Sequence, residues 1–188
     1  RVPQAPPQEW KAYPASTVHF FSMTDSPVNR RRSFSRLTAY EASRILSRLG
    51  ADVRVYDPLE LPIKGACPEP HEKGAEVRSR SDWSDAHLWV SPEQHGTITA
   101  VMKNQIDWIP LSTGSVRPTQ GRTLAICQVN GGFVQVCSSS STIVSGADIC
   151  IATRSQSFNT VNVLRQLGRW MRMFTVRATG SAAAPSQG

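Results

Sequence analysis

The chain has 188 residues, enough for one domain with a real core, and its 39 % hydrophobic and 19 % charged residues suit a globular protein. Thirteen prolines and twelve glycines assign part of it to loops, and no apolar run approaches the roughly 18 residues of a membrane span. The net charge of +7 fits an anionic partner, but much of the excess sits in Arg30, Arg31, Arg32 and Arg36, so the distributed basic groove of a nucleic-acid binder is not indicated.

Residues 1–16 hold four prolines and little apolar periodicity, and read as an arm without independent structure. The globular domain is placed at 17–176. Its first strand is expected at 17–23 (TVHFFSM), near-continuously apolar as a central parallel strand is. A polar loop follows. Residues 33–49 have helical periodicity, with Phe34, Leu37, Ala42, Ile45, Leu46 and Leu49 on the expected inward face and Gly50 as the stop. A second strand is expected at 51–56, then a proline-rich loop to Pro70 and a weak, charged helix at 71–80.

The most informative run is 86–111. AHLWV reads as a strand, Ser91 to Gly96 as a polar turn, and the rest as a helix with Ile98, Val101, Met102 and Ile106 inward, ended by Pro110. In an open parallel sheet such a turn lies at the carboxyl edge, where these sheets bind ligands. Pro92 stiffens it, Glu93, Gln94 and His95 offer acceptors and donors, and Gly96 permits close approach to the backbone. Residues 123–129 form a fourth strand ending at Asn130-Gly131-Gly132, and 162–171 a helix with Val163, Leu164, Leu167 and Met171 inward. The tail, 177–188, is rich in Ala, Ser and Gly and is expected to be disordered.

Cys67, Cys127, Cys137 and Cys150 show neither metal-ligand spacing nor a CxxC pair. A reduced, cytoplasmic setting and no metal are expected. The alternation of strand and helix predicts an α/β doubly wound parallel sheet, a three-layer sandwich. The dinucleotide fingerprint GxGxxG is absent from the first turn. Ser33 at the start of the first helix, after three arginines, suits instead a single phosphate at a helix N-terminus, as in flavodoxin-like folds. The plainer reading, that Ser33 only caps the helix and the arginines are solvated, stands beside it.

Five stretches resemble the NADPH-dependent FMN reductase family, and within it the arsenical-resistance flavoproteins of the ArsH type: RRRSFSRL at 30–37, YDP at 56–58, the run 91–111, VRPTQGRT at 116–123, and SQSFNTVNVLRQLGRWMRMF at 155–174. The resemblance implies a flavodoxin-like fold, bound FMN, reduction by NADPH and a homotetramer. It also implies a small-molecule substrate: quinones, azo dyes or oxygen as electron acceptors, or trivalent organoarsenicals that become pentavalent. It gives Arg30, Arg32, Ser33 and Ser35 the phosphate, Pro92, Glu93, Gln94 and His95 the ribityl chain and one side of the ring, and Gly131, Gly132, Ser155, Gln156 and Ser157 the pyrimidine end. Flavin carries the hydride chemistry itself, so no catalytic acid or base of the protein is demanded.

Three departures from the family pattern set further expectations. The segment after the first strand, 23–29, is longer and lacks a Gly-Ser pair. Residues 133–154 intervene between Gly-Gly and Ser-Gln-Ser, with a serine tract and almost no charge, and read as an atypical insertion of gene-model origin or as a lid loop. Past Phe174 the pattern of a strand and a covering helix stops, so the last strand and helix are expected to be incomplete and the product weakened. A truncated, flavin-free relative that keeps the fold is the alternative function.

Overall fold

The computed structural model describes residues 17–24, 33–114, 116–130, 133–137 and 159–176. The expected arm at 1–16 and tail at 177–188 lie outside them, as does most of 133–154. The element order is β1 (His19–Thr24), α1 (Phe34–Arg48), β2 (Asp52–Tyr56), α2 (Glu72–Trp83), β3 (Ala86–Pro92), α3 (Ala100–Trp108), β4 (Thr123–Asn130), β5 (Phe133–Cys137), α4 (Asn159–Trp170) and β6 (Phe174–Thr175). The main path of the sheet runs β2-β1-β3-β4-β5, and β6 also pairs with β4. All pairings are parallel except β4 with β5. Five strands are therefore parallel and flanked by helices, the flavodoxin-like arrangement expected. From β1 the path runs to β2 on one side and to β3 on the other, which opens a crevice at the carboxyl ends of β1 and β3.

The two faces of the sheet are packed differently. On one, Phe21, Met23, Trp89, Leu124 and Ile126 meet α2, α3 and α4 through Val77, Met102, Ile106, Trp108, Val161 and Leu164. Full burial of each such large apolar side chain contributes about 1.5–3 kcal/mol. On the other face α1 covers Leu88, Val90, Cys127 and Val129 with Ala39 and Ala42, and Phe20 and Ala86 with Leu46.

That packing corrects the expected inward face of α1 in part, since Ala42 and Leu46 are buried as expected. Phe34 and Leu37 are each 56 % exposed and Leu49 is 70 % exposed, whereas Ser35, Ala39, Ala42, Ser43 and Leu46 are buried. The helix seats its small residues and Leu46 on the sheet, which lets the backbone approach closely, and turns Phe34, Leu37, Tyr40 and Leu49 outward. Val101 is likewise exposed on α3, while Ile98, Met102 and Ile106 are buried as expected. In α4 and the turn after it, Leu164 and Met171 are buried, and Val163 and Leu167 pack at the margin of the core. Met173 is buried too, but Trp170 and Phe174 are exposed.

Three element boundaries bear on the site. Ser33 caps α1, its Oγ accepting from Arg36 N at 3.2 Å. Thr99 caps α3 in the same way, accepting from Met102 N at 3.2 Å. Residues 133–137, within the expected insertion, form strand β5 antiparallel to β4.

Candidate functional site

Three segments meet at the carboxyl edge of the sheet: the start of α1 after β1, the turn between β3 and α3, and the start of α4, which lies against the end of β4. β3 delivers the turn. Ser91 and Pro92 are its last residues, beside Gln128 and Val129 of β4. Glu93 N donates to Val129 O at 3.3 Å, which carries the ladder one step past the strand. Gln94 and Thr97 then close a two-residue turn by reciprocal backbone bonds of 2.9 and 3.1 Å. Its central residues, His95 at φ 50 and Gly96 at φ 76, both need the left-handed region, the signature of a type I′ turn. Glycine is thus required at 96 by the turn itself. His95 and Gln94 are exposed and Glu93 is half-buried, so polar groups ring the crevice mouth.

The turn is fastened from behind. Gln128, fully buried on β4, donates from Nε2 to Glu93 Oε2 at 2.9 Å and accepts on Oε1 from Val161 N of α4 at 3.0 Å. Thr160 Oγ1 donates to Thr97 O at 3.1 Å. Beneath the turn, Ser91 Oγ donates to Pro92 O at 3.0 Å. At the end of β1, Gln105 Nε2 of α3 donates to Thr24 O at 2.9 Å. Thr24 Oγ1 and Gln105 Oε1 are buried there without a hydrogen-bond partner among the described residues. Unmet buried polar atoms cost about 1–3 kcal/mol each, and such atoms concentrate where a ligand completes the structure.

Ser33 and Ser35 are both buried at the head of α1, whose first turn has no acidic residue. The free amide N–H groups and the partial positive charge of that terminus suit an anion. The Ser33 oxygen is already engaged as the cap, so toward a ligand it has its hydroxyl proton to offer. Arg30, Arg32, Gly131, Gly132, Ser155, Gln156 and Ser157 lie outside the described residues.

A protein-family model described as NADPH-dependent FMN reductase matches residues 28–186. The chain belongs to the NADPH-dependent FMN reductase family. It is 50 % identical over 158 residues to the NADPH-dependent FMN reductase ArsH of Rhizobium meliloti (strain 1021), covering 84 % of this chain and 56 % of that protein. Against the enzyme of the same name from Shigella flexneri it is 46 % identical over 159 residues, with 84 % and 54 % covered. The chain thus spans about half the length of the curated relatives it matches. Among solved structures, the apo form of an NADH:FMN oxidoreductase (EMOB) superposes with a TM-score of 0.61 at 15 % identity, over 88 % of this chain and 74 % of that one. At that identity the likeness speaks for the fold.

For a member of the FMN reductase family the donor set is apt. FMN needs an anion site, acceptors and donors along the ribityl chain, and an uncharged wall for the ring. The α1 terminus and the 92–97 turn carry groups of the first two kinds. Sequence reasoning missed Gln128, Thr24 and Gln105. Gln128 was legible as one polar residue inside an apolar strand, LAICQV. The basic residues Arg117, Arg122 and Lys103 do not gather at this edge. Arg122 precedes β4 at the amino edge, where its Nη2 donates to Asp82 O at 3.1 Å and burial lowers its pKa against the pull of Asp82 and Asp85. Arg117 donates to Trp170 O, and Lys103 pairs with Asp107 at 2.5 Å. Among the described residues no group of three His, Cys, Asp or Glu is placed to hold a metal, and no helix is long and apolar enough to cross a membrane.

Proposed function

We propose that the chain binds FMN at the carboxyl edge of β1, β3 and β4 and acts as an ArsH-type oxidoreductase using NADPH. The observation that carries this is the convergence there of an acid-free, serine-capped helix terminus and a polar turn held by Gln128. Ser33 and Ser35, with Arg30 and Arg32, take the phosphate. Pro92, Glu93, Gln94 and His95 take the ribityl chain and one side of the ring, and Gly131, Gly132, Ser155, Gln156 and Ser157 the pyrimidine end. FMN supplies two-electron transfer from NADPH to the acceptor. The protein binds it, orients it and leaves one ring face open.

The acceptors are small molecules: quinones, azo dyes or oxygen. The resemblance to the ArsH type adds trivalent organoarsenicals as electron donors in place of NADPH: they would give two electrons to oxidised FMN, which would pass them to oxygen, and become pentavalent. The apolar residues that α1 turns outward, with Trp170 and Phe174, support a homotetramer. The four cysteines show neither a CxxC pair nor metal-ligand spacing, a pattern in keeping with a cytoplasmic setting.

A second reading, a flavin-free relative that keeps the fold, is favoured by one observation: β5 follows directly where the family pattern runs from Gly-Gly into Ser-Gln-Ser. The visible spectrum of the purified chain, before and after addition of FMN, separates the two. A yellow complex that bleaches with NADPH is the expected result. A colourless chain that takes up no FMN overturns the enzyme reading.

A further inference from the structure

Gln128 stands out among the buried polar residues because both ends of its amide are bonded to different segments of the crevice. Nε2 reaches the Glu93 carboxylate of the β3–α3 turn, and Oε1 receives the Val161 N–H of α4. Val161 is the third residue of α4, so its N–H is one of the donors that a helix leaves without an internal partner. Few side chains satisfy both demands at once. A carboxylate at 128 would accept from Val161 but face Glu93 with like charge. An aliphatic residue would leave a buried N–H unpaired and release Glu93. A lysine would bond Glu93 but meet the helix terminus with the wrong sign.

We infer that Gln128 is a positioning residue: it clasps the Glu93 turn to the start of α4, so that the turn and the helix move as one wall of the flavin crevice. The inference deepens the FMN reading and rests on it. Glu93 Oε2 is committed to the clasp, which leaves Oε1 as the oxygen to meet a ligand. Gln128 therefore presents one defined carboxylate oxygen at the mouth, an acceptor for a hydroxyl or N–H donor such as a ribityl hydroxyl. Separately from the amide, Thr160, beside Val161, holds Thr97 O at 3.1 Å. Two independent bonds thus run from the first turn of α4 to the two ends of the turn, one through Gln128 and one direct.

The test exchanges the two side chains. In the full chain, Gln128→Glu opposes two carboxylates, and Gln128→Leu removes both bonds. The double variant Gln128→Glu with Glu93→Gln restores them: the new carboxylate accepts from Val161 N and from the amide introduced at position 93, with total charge unchanged. FMN affinity is read by flavin fluorescence, and the unfolding midpoint is read without flavin. Each single variant at 128 is expected to weaken FMN by about 10–100-fold, the loss of one charge-assisted hydrogen bond and, in Gln128→Leu, of a neutral one besides. The exchanged pair is expected to regain most of the affinity and midpoint lost by Gln128→Glu. Equal affinity in Gln128→Leu and the parent, or an exchanged pair no better than Gln128→Glu, would overturn the inference. A parent chain that takes up no FMN defeats the preceding reading instead. The midpoints then still decide the clasp: recovery in the exchanged pair upholds it, and no recovery removes it.

Discussion

His87 shows how far a single residue can depart from its ordinary chemistry when the fold encloses it. It lies on β3, fully buried, with Nδ1 accepting from Trp89 Nε1 at 3.3 Å and Nε2 facing Ser81 Oγ at 3.4 Å. Burial, reinforced by the nearby Arg122 charge and opposed by a hydrogen bond to the Ser81 backbone, pushes its pKa down to about 3. The folded imidazole is neutral, with its proton on Nε2. The unfolded group titrates near 6.5, so unfolding takes up a proton between those values. The stability held by the neutral ring is complete above about pH 6.5 and is lost as pH falls toward 3, at up to about 1.4 kcal/mol per pH unit. Denaturation midpoints measured from neutral to mildly acidic pH should fall with this slope, and His87→Gln should flatten it. An unchanged slope in that variant would assign the acid sensitivity to other groups.

At the scale of elements, contact between α2 and α3 depends on a missing side chain. Gly74 of α2 lies against the Trp108 ring so closely that a Cβ would stand 2.2 Å from Cζ3. Trp108 is 1 % exposed, and its Nε1 donates to Pro62 O at 2.8 Å, so the ring has no free direction in which to retreat. Alanine ordinarily gains about 1 kcal/mol over glycine inside a helix. Here the overpacking cost of about 1–3 kcal/mol outweighs it. Gly74→Ala should lower the urea midpoint with little change of slope; a stabilised variant would contradict the packing. The equivalent test on an exposed α2 position, Ser79→Ala, should be near neutral.

The elements themselves were largely legible in the sequence. The apolar runs at 17–23, 86–90 and 123–129 fall on β1, β3 and β4 within a residue or two, because parallel strands buried on both faces need continuous apolar side chains. The face of α1 was legible only in part: Ala42 and Leu46 are buried as expected, but Phe34, Leu37 and Leu49 are exposed. Periodicity favoured its large residues, but α1 lies on a sheet surface already filled by Leu88, Val90 and Val129, and small side chains fit that gap better. The turn at 92–97 was visible from Pro92 and His95-Gly96. Its fastening by Gln128 was not, since the partners are 35 and 33 residues away in sequence and only the sheet register brings them together.

The molecule as a whole should respond to the ligand proposed for it. Thr24 Oγ1 and Gln105 Oε1 are buried without partners among the described residues, at the edge proposed for the phosphate end of FMN. A ligand that binds only the folded chain raises stability by about 2.7 kcal/mol at roughly a hundred times its dissociation constant. FMN should therefore raise the thermal midpoint in a concentration-dependent manner, and riboflavin, which lacks the phosphate, should raise it less at equal concentration. Equal shifts from the two would argue that the α1 terminus does not read the phosphate.

Strand β4 exposes one flank to two claimants. β5 pairs antiparallel with Ile126 through Asn130, while β6 runs parallel beside Thr123 and Leu124. Continuing the β6 register by two residues would set the chain against Ile126, the position that Cys137 already occupies. The two strands are therefore rivals for one edge, and each residue that β6 gains must be surrendered by β5. A transcript without the codons for 133–154 would encode a chain in which that rivalry ends: β6 has the whole flank of β4 open to it, and the parallel sheet can lengthen toward the crevice.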